Sequence, residues 1–410
     1  MKRYSEYKDS GVKWIGEIPG HWEIRRLKNV VLCNAETLSE NFPKDEVIKY
    51  VEISDVNYTS GITNIQRMPF GEAPSRARRI TKKNDVIVST VRTYLKAVAK
   101  IQEDGLIVST GFAVLHPLIG NSSFLSYFAL SESFIHNVIV NSKGISYPAI
   151  TASDLICIAM PLPPLSEQEA IVTYLDSKVD KIDEYISIAE KKIAALEELK
   201  QTIIAEAVTR GIHKDVPMKD SGVKWIGMIP EHWDCCKLKY FTRIKSGDAL
   251  TNNALSDTGK YKVYGGGDFM GFYDKYNVDA NTILIGRVGA RCGCVTITEE
   301  KAWATDNALI LIHFNINTKF LTYLLVAANL NSLSISNAQP LITGSKVKDS
   351  FIPEQQEIVS YLDSKVANIN QLCQAERSQI EKLKEYKQRL ISDVVTGKVK
   401  VTNDSLNGRV

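Results

Sequence analysis

The stretch "KDSGVKWIGEIPGHWEIRRLK", Lys8 to Lys28, returns as "KDSGVKWIGMIPEHWDCCKLK", Lys219 to Lys239. A second phrase, "EQEAIVTYLDSKVDKI" from Glu167, returns as "EQQEIVSYLDSKVANI" from Glu354. The offsets are 211 and 187, so the chain is written twice, with a second middle 24 residues shorter than the first. Two copies this long imply a tandem duplication rather than a solenoid of short repeats. They also set the domain count: 410 residues exceed one ordinary core.

The closing phrases carry the clearest periodicity. Leu175, Val179, Ile182, Ile186, Ile193, Leu196 and Ile203 fall at steps of three and four, with Ala189 and Ala207 on the same stripe. Leu362, Val366, Ile369, Cys373, Ile380, Leu383, Leu390 and Val394 repeat it, interrupted by Glu376 and by Lys387, which matches Lys200. Alternating steps of three and four make the seam of a coiled coil. Gly211 and Gly397 end both helices. About 42 residues at about 1.5 Å each give a rod of roughly 60 Å. A lone helix would expose its seam, so the two pack on each other. A parallel pair puts both middles at one end of the rod; the short connection after Gly211 favours antiparallel.

Each middle reads as a compact α+β domain. "VIKYVEISDV" (Val47–Val56), "DVIVSTV" (Asp85–Val91) and "GLIVSTGFAVL" (Gly105–Leu115) are strand-like in the first, and "NTILIGRVG", "CVTITEE" and "NALILIHF" in the second. Short helices are expected near Ser122–Ser133 and Thr318–Asn329. The predicted organisation is residues 1–163 as first domain, 164–211 as first helix, 212–352 as second domain, 353–400 as second helix and 401–410 as tail. Trp14, Ile15, Ile18 and Trp22, with Trp225, Ile226, Ile229 and Trp233, read as apolar anchors leading into each domain. Gly16-x-x-Pro19 and Gly227-x-x-Pro230 make the turns between them. A docking surface for a partner is the other reading of the same residues.

Catalytic signatures are scarce. There is no Walker-type loop, no Asn-Pro-Pro-aromatic tetrapeptide and no strand–GxG–helix pocket for S-adenosylmethionine. Gly265-Gly266-Gly267 has no following helix to receive a phosphate and reads as a tight loop. Glu299, Glu300 and Lys301 with Asp279 match a nuclease metal cluster only loosely. His21 and His232, each beside a Trp, read as packed histidines rather than general bases. The seven cysteines contain no CxxC and fit scattered free thiols in a reducing compartment. With no apolar stretch of membrane-spanning length and no signal-like start, a cytoplasmic protein without enzymatic activity of its own is expected.

Net charge is only +3, with both middles mildly basic and the first connecting segment acidic. Basic residues interleave with polar β-structure in "SRARRITKKNDVIVSTVRTYLK": Arg76, Arg78, Arg79, Lys82 and Lys83, then Arg92, Tyr94 and Lys96. In the second middle Arg287 and Arg291 lie among glycines, followed by Lys301, Trp303 and Asn307. Such residues neutralise phosphates or pair with base edges; composition alone reads them equally as a solvated charged face.

At this point the residues match a family. The sequence closely resembles the specificity subunits of type I restriction–modification systems over essentially its whole length. The matching pieces are "SGVKWIGEIPGHWEIRRLK", "DVIVSTVRTYLK", "STGFAVLHP", "PLPPLSEQEAIVTYLDSKVDKID", "YGGGDFMGFYD", "LIGRVGARCG", "WATDNALIL" and "EQQEIVSYLDSKV". The resemblance implies two target-recognition domains, each reading half of an asymmetric, bipartite double-stranded DNA site. It also implies an antiparallel coiled coil that holds them apart, a rod longer than the roughly 34 Å of one DNA turn. It implies partners too: two methyltransferase subunits acting on adenine with S-adenosylmethionine, and ATP- and Mg-dependent restriction subunits. This chain then carries no cofactor, and the basic residues named above become its DNA-binding candidates. The exits differ: "ICIAMPLPPLSEQ" leaves the first domain and "VKDSFIPEQQ" the second, which is five residues shorter from Pro340 than its counterpart from Pro148.

Overall fold

A computed structural model describes residues 3–144, 147–213, 215–289, 291–313, 316–333, 343, 347, 351–352 and 356–401. Two compact units emerge: residues 1–188 joined by 378–410, and residues 189–377. Neither boundary falls between the repeats; both fall within the long helices.

The opening phrase is a hairpin in both units, and its letters explain why. Tyr7–Asp9 pairs antiparallel with Glu17–Pro19, and Met218–Asp220 pairs with Met228–Pro230, Tyr7 facing Pro19 as Met218 faces Pro230. The Asp9 and Asp220 carboxylates accept the Gly11 and Gly222 amides at 2.9 and 3.0 Å, and both glycines sit at φ +70. An Asp followed two residues later by a left-handed glycine is a self-bonded turn. Ile15, Ile18 and Trp22 are buried, as are Ile226, Ile229 and Trp233. The first tryptophan of each phrase departs from expectation: Trp14 is half-buried against Phe128, and Trp225 is exposed. Each precedes the inward-facing isoleucine, so the anchor is carried by that isoleucine and by the second tryptophan.

The two units share one sheet and differ in the other. In the first unit, the strands Val98–Lys100, Val86–Ser89, Phe112–Pro117 and Val31–Cys33 lie in that order, all antiparallel. Val295–Ile297, Ile283–Gly286, Ala308–His313 and Thr242–Ser246 reproduce it in the second. The inner strands Val86–Ser89 and Ile283–Gly286 are buried at every residue, as unbroken apolar runs require. Both units follow with a helix, Ser122–Ala129 or Thr318–Ala327, each begun by an asparagine: Asn121 accepts the Ser123 and Phe124 amides, Asn317 those of Lys319 and Phe320.

The other sheet has five strands in the first unit: Glu36–Thr37, Ala77–Ile80, Ile107–Ser109, Val47–Val51 and Gln66–Pro69. In the second it has three: Asp268–Tyr273, Tyr261–Gly265 and Ala302–Ala304. A single parallel pairing survives in each. Two runs predicted as continuous strands break here. Val47–Val56 stops where Glu52 caps the 3-10 turn Ile53–Asp55. Gly105–Leu115 divides at Thr110–Gly111, where a Cβ on Gly111 would meet the Ile53 side chain at 2.5 Å.

The long helices span Leu165–Arg210 and Gln356–Val395. Every seam position named from the sequence is buried or half-buried. In the second unit their partners run in opposite order: Lys192 meets Glu376, and Lys200 reaches Asn370 at 3.2 Å. The interrupting lysines are therefore polar rungs. Lys387, in the first unit, is 7% exposed, with its ammonium 2.7 Å from both oxygens of Asp183. The exits also differ in the described part: Ala159–Leu162 pairs with Glu23–Arg26 over four residues, Phe351–Ile352 with Cys236–Lys237 over two. Pro340 and residues 348–350 and 353–355, where the shortening falls, lie outside the described residues.

Asp183→Ala strands a buried ammonium and should lower stability by about 2 kcal/mol. Lys387→Met keeps the packing and returns a half-exposed carboxylate to water, so it should cost less than about 1 kcal/mol. Urea melts of the full chain compare the two; equal losses would mean that Lys387 acts through its charge alone.

Candidate nucleic-acid interface

In the first unit the predicted basic residues divide into two groups. Arg76 and Arg92 line one cleft of about 410 Å³ with Glu52, Ser54, Leu95, Ser109 and Thr110. The Arg76 carbonyl accepts the Thr110 amide at 2.8 Å, and its Nε donates to Glu52 Oε2 at 2.6 Å. Glu52 also accepts from the Tyr50 hydroxyl and, at 3.1 Å, from the Ile53 amide. Burial pushes the Glu52 pKa up, but these bonds and Arg76 outweigh it and leave the carboxyl below its usual range. Tyr50 is pushed up to about 12, by burial first and by Glu52 second. The cluster is a fixed anion holding a cation at the mouth of a cleft.

The opposite wall is the segment "VRTYLK". Arg92 (φ +50) and Lys96 (φ +53) are both left-handed and bracket the 3-10 turn Thr93–Leu95. Side chains other than glycine take this conformation only where the surroundings enforce it. Here Thr93 is buried and its hydroxyl lies 2.8 Å from that of Ser142. The strain turns Arg92, Tyr94 and Leu95 outward to solvent. Arg92 lies over the exposed Tyr147 ring at 5.2 Å, and Lys96 over Tyr58 at 5.6 Å.

The remaining basic residues follow the strand Ala77–Ile80 and the turn after it. Arg78 lies over Phe70 at 4.8 Å, and Arg79 donates to the Thr37 hydroxyl at 3.2 Å. Lys82 is ion-paired with Glu36, and Lys83 is exposed. Sequence reasoning missed Glu52, Leu95 and Tyr147. Glu52 could have been found: a carboxylate that ends a strand and stands three residues before Asp55 marks a cap.

In the second unit Arg287, Arg291 and Asn307 gather where the strand Ile283–Gly286 ends. The Arg287 guanidinium donates to the Ser246 hydroxyl at 3.3 Å, and its amide to the Asn307 carbonyl at 2.9 Å. Arg291 pairs with Asp268 at 3.0 Å. Gly286 is what lets these loops meet: a Cβ there would stand 2.2 Å from the Arg291 carbonyl oxygen and 2.3 Å from that of Gly266. Gly265–Gly267 is thus a loop packed against protein, closing the hairpin into Asp268–Tyr273. Trp303 packs edge-on to Tyr273 and donates to the Asp248 carbonyl at 3.3 Å. Lys301 lies 4.2 Å over Tyr276 and 3.9 Å from Asp279.

Glu299 and Glu300 both face Lys262, at 3.6 and 3.7 Å. Among the described residues no group of three acidic, His or Cys side chains could hold a metal ion. The histidine reading needs correction: His21 and His232 are exposed, not packed. His21 lies against Glu167, which also takes the Trp22 indole N–H at 3.0 Å and the Tyr4 hydroxyl at 3.1 Å. The tryptophan fills the core while its neighbour projects to the surface and ties the hairpin to the first turn of the helix. No helix among the described residues is long and apolar enough to cross a membrane.

Two units with a common frame and unlike second sheets define a tandem pair of related domains. The model of the type I restriction modification DNA specificity domain matches residues 19–198 and again 230–382, so the chain belongs to that family. The type I restriction enzyme MjaVIII specificity subunit of Methanocaldococcus jannaschii is 26% identical over 306 residues, 67% of this chain and 69% of that one. Among solved structures, a chain from work on complex assembly and conformational transition of the type I R-M system superposes with a TM-score of 0.68. It is 24% identical, and the match covers 93% of this chain and 99% of that one. The HsdS subunit from Thermoanaerobacter tengcongensis is 25% identical over 93% of this chain and 98% of its own, with a TM-score of 0.47.

Gly286→Ala forces two backbone carbonyls apart and should cost more than about 2 kcal/mol. Gly289 has nothing within 4 Å of a would-be Cβ and only its φ of +77 to lose, so Gly289→Ala should cost about 1 kcal/mol. Thermal melts with limited proteolysis of the second unit check the order.

Proposed function

We propose that this chain reads a bipartite, asymmetric double-stranded DNA site, one half per unit, and brings methyltransferase and restriction subunits to it. The observation that carries the reading is the division of labour between the sheets. The frame of hairpin, four-stranded sheet and capped helix recurs strand for strand, while the second sheet has five strands in one unit and three in the other. What recurs does the same task twice; what diverges faces different bases. Tyr94 and Tyr147, exposed beside Arg92, and Trp303 near Lys301 supply the aromatic–basic mixture that such reading uses.

In this reading the chain supplies address and no chemistry. The methyltransferase subunits bring S-adenosylmethionine and modify adenine, and the restriction subunits bring ATP and Mg. The rival reading, a coiled-coil bridge without sequence readout, has charge reversal at Arg76, Arg78, Arg79 and Arg287 leave function intact. The unlike second sheets favour readout.

A map of methylated adenines in cells with and without this gene, its neighbouring genes intact, tests the proposal. A two-part motif should vanish with the gene; an unchanged map would favour the bridge. Replacing residues 29–160 with the corresponding part of another family member should change one half of the motif only. Changes in both halves would refute independent reading.

A further inference from the structure

We propose that Arg76 reads a guanine in the half-site of the first unit and that Glu52 is its positioning residue. The inference rests on the reading of this unit as a DNA-recognition domain and names the base that one side chain contacts.

Arg76 differs from the other basic residues of its unit in how it is held. Arg78 lies along Phe70, Arg79 is half-buried and bonded to Thr37, and Arg92 rests on a tyrosine ring. Of these four arginines, Arg76 is the one whose Nε is fixed on a carboxylate that is itself held by other bonds. Its carbonyl is tied to the Thr110 amide at 2.8 Å. Glu52 takes the Tyr50 hydroxyl on one oxygen and the Ile53 amide on the other, while its own amide donates to Asp55 Oδ2 at 3.1 Å. Tyr50, in turn, is a core residue at 1% exposure. The support therefore runs from a buried strand, through Glu52, to Arg76 on the lining of the cleft, whose side chain is 57% exposed; the Glu52 side chain is only 16% exposed.

A guanidinium held through Nε presents its terminal amino groups in a set plane. Guanine offers two acceptors, O6 and N7, on its major-groove edge, and the arginine fork matches them. The carboxylate also discriminates against the alternative. Next to Arg76, its negative charge offsets the attraction for a phosphate, whereas the neutral guanine edge meets no such repulsion. A purely stabilising role fits less well, because an ion pair exposed on its cationic side contributes little to stability.

The test uses the complete chain, co-purified with the subunits that accompany it in cells. Its probes are duplexes carrying the mapped site and a series with each base pair replaced singly. With the parent protein, replacing one G·C pair of the first half-site should weaken competition binding about 10- to 100-fold. Arg76→Lys keeps the charge and loses the fork. It should flatten that one penalty to within about twofold, leaving every penalty in the second half-site in place as the control for folding. Glu52→Gln should reduce the same penalty partially and raise binding to unrelated duplex, an effect that a merely structural role would not produce. An even loss across all duplexes with Arg76→Lys, or an unchanged penalty profile, would overturn the assignment while leaving the two-part reading intact. A parent protein with no base preference at all would overturn both.

Discussion

Each unit is closed by a tryptophan set against the glycine that ends a long helix. In the first unit a Cβ on Gly397 would stand 2.4 Å from Pro19 Cδ and 3.0 Å from the Trp22 ring. In the second, a Cβ on Gly211 would stand 3.5 to 3.7 Å from the Trp233 ring and Pro230. Both glycines are left-handed, so the helix terminates and the opening hairpin seats in the same place. The glycine that closes the first unit comes from the second helix, and the one that closes the second unit from the first. The first unit is therefore not a contiguous piece of chain: it needs residues from 378 onward to complete its core, whereas the second runs unbroken from 189 to 377. Contacts across such a sequence separation form late and at a cost in loop entropy, which the buried indoles and the helix seams must outweigh.

That closure explains the pattern of repetition. The hairpin, the shared sheet and the capped helix are the parts in contact with the helices and the buried core, where a change of one methylene is felt. The second sheet buries its own residues, Ile48, Tyr50 and Ile107 in the first unit and Val263, Ala302 and Ala304 in the second, but it is edged by short strands and carries ion pairs on its surface, among them Lys49 with Glu103 and Arg291 with Asp268. Surface substitutions of this kind cost little, so five strands can serve in one unit and three in the other. Sequence divergence concentrates where folding tolerates it.

The helices, the repeated opening phrases with their turns and the central strands were legible because each leaves a periodic or paired signal; that the opening phrases form hairpins was not. The seam showed through two interrupting lysines, and Lys387 proved to be a polar rung whose partner, Asp183, lies off the stripe where no periodicity could point to it. The strand breaks at Glu52 and Gly111 were hidden for a different reason. The break at Gly111 depends on Ile53, distant in sequence; that at Glu52 is a local cap on Ile53–Asp55, but the bond from Glu52 to Arg76 joins residues far apart in the chain. For the same reason the basic cluster of the first unit could be named but not sorted. Only the fold shows that Arg76 and Arg92 share a cleft while Arg78 and Arg79 settle on Phe70 and Thr37. Trp14 and Trp225, alike in sequence, differ because Phe128 stands against the first.

The pairing of basic with acidic side chains has a consequence for selectivity. Arg76 with Glu52, Lys82 with Glu36, Arg291 with Asp268 and Lys301 with Asp279 each bring a cation to the surface already partnered. With a net charge of only +3, such a surface attracts arbitrary duplex weakly, since non-specific affinity comes almost entirely from phosphate neutralisation. A partnered cation gives up little to a base edge that replaces or shares its bonds, and gains little from a passing phosphate. Specificity is a difference between two affinities, and lowering the unwanted one serves as well as raising the wanted one. Under the proposed reading, joining two such faces in one chain restores strength, because once one half-site is engaged the second binds at high effective concentration. Weak attraction to DNA in general is in this way compatible with firm binding at a site that satisfies both halves.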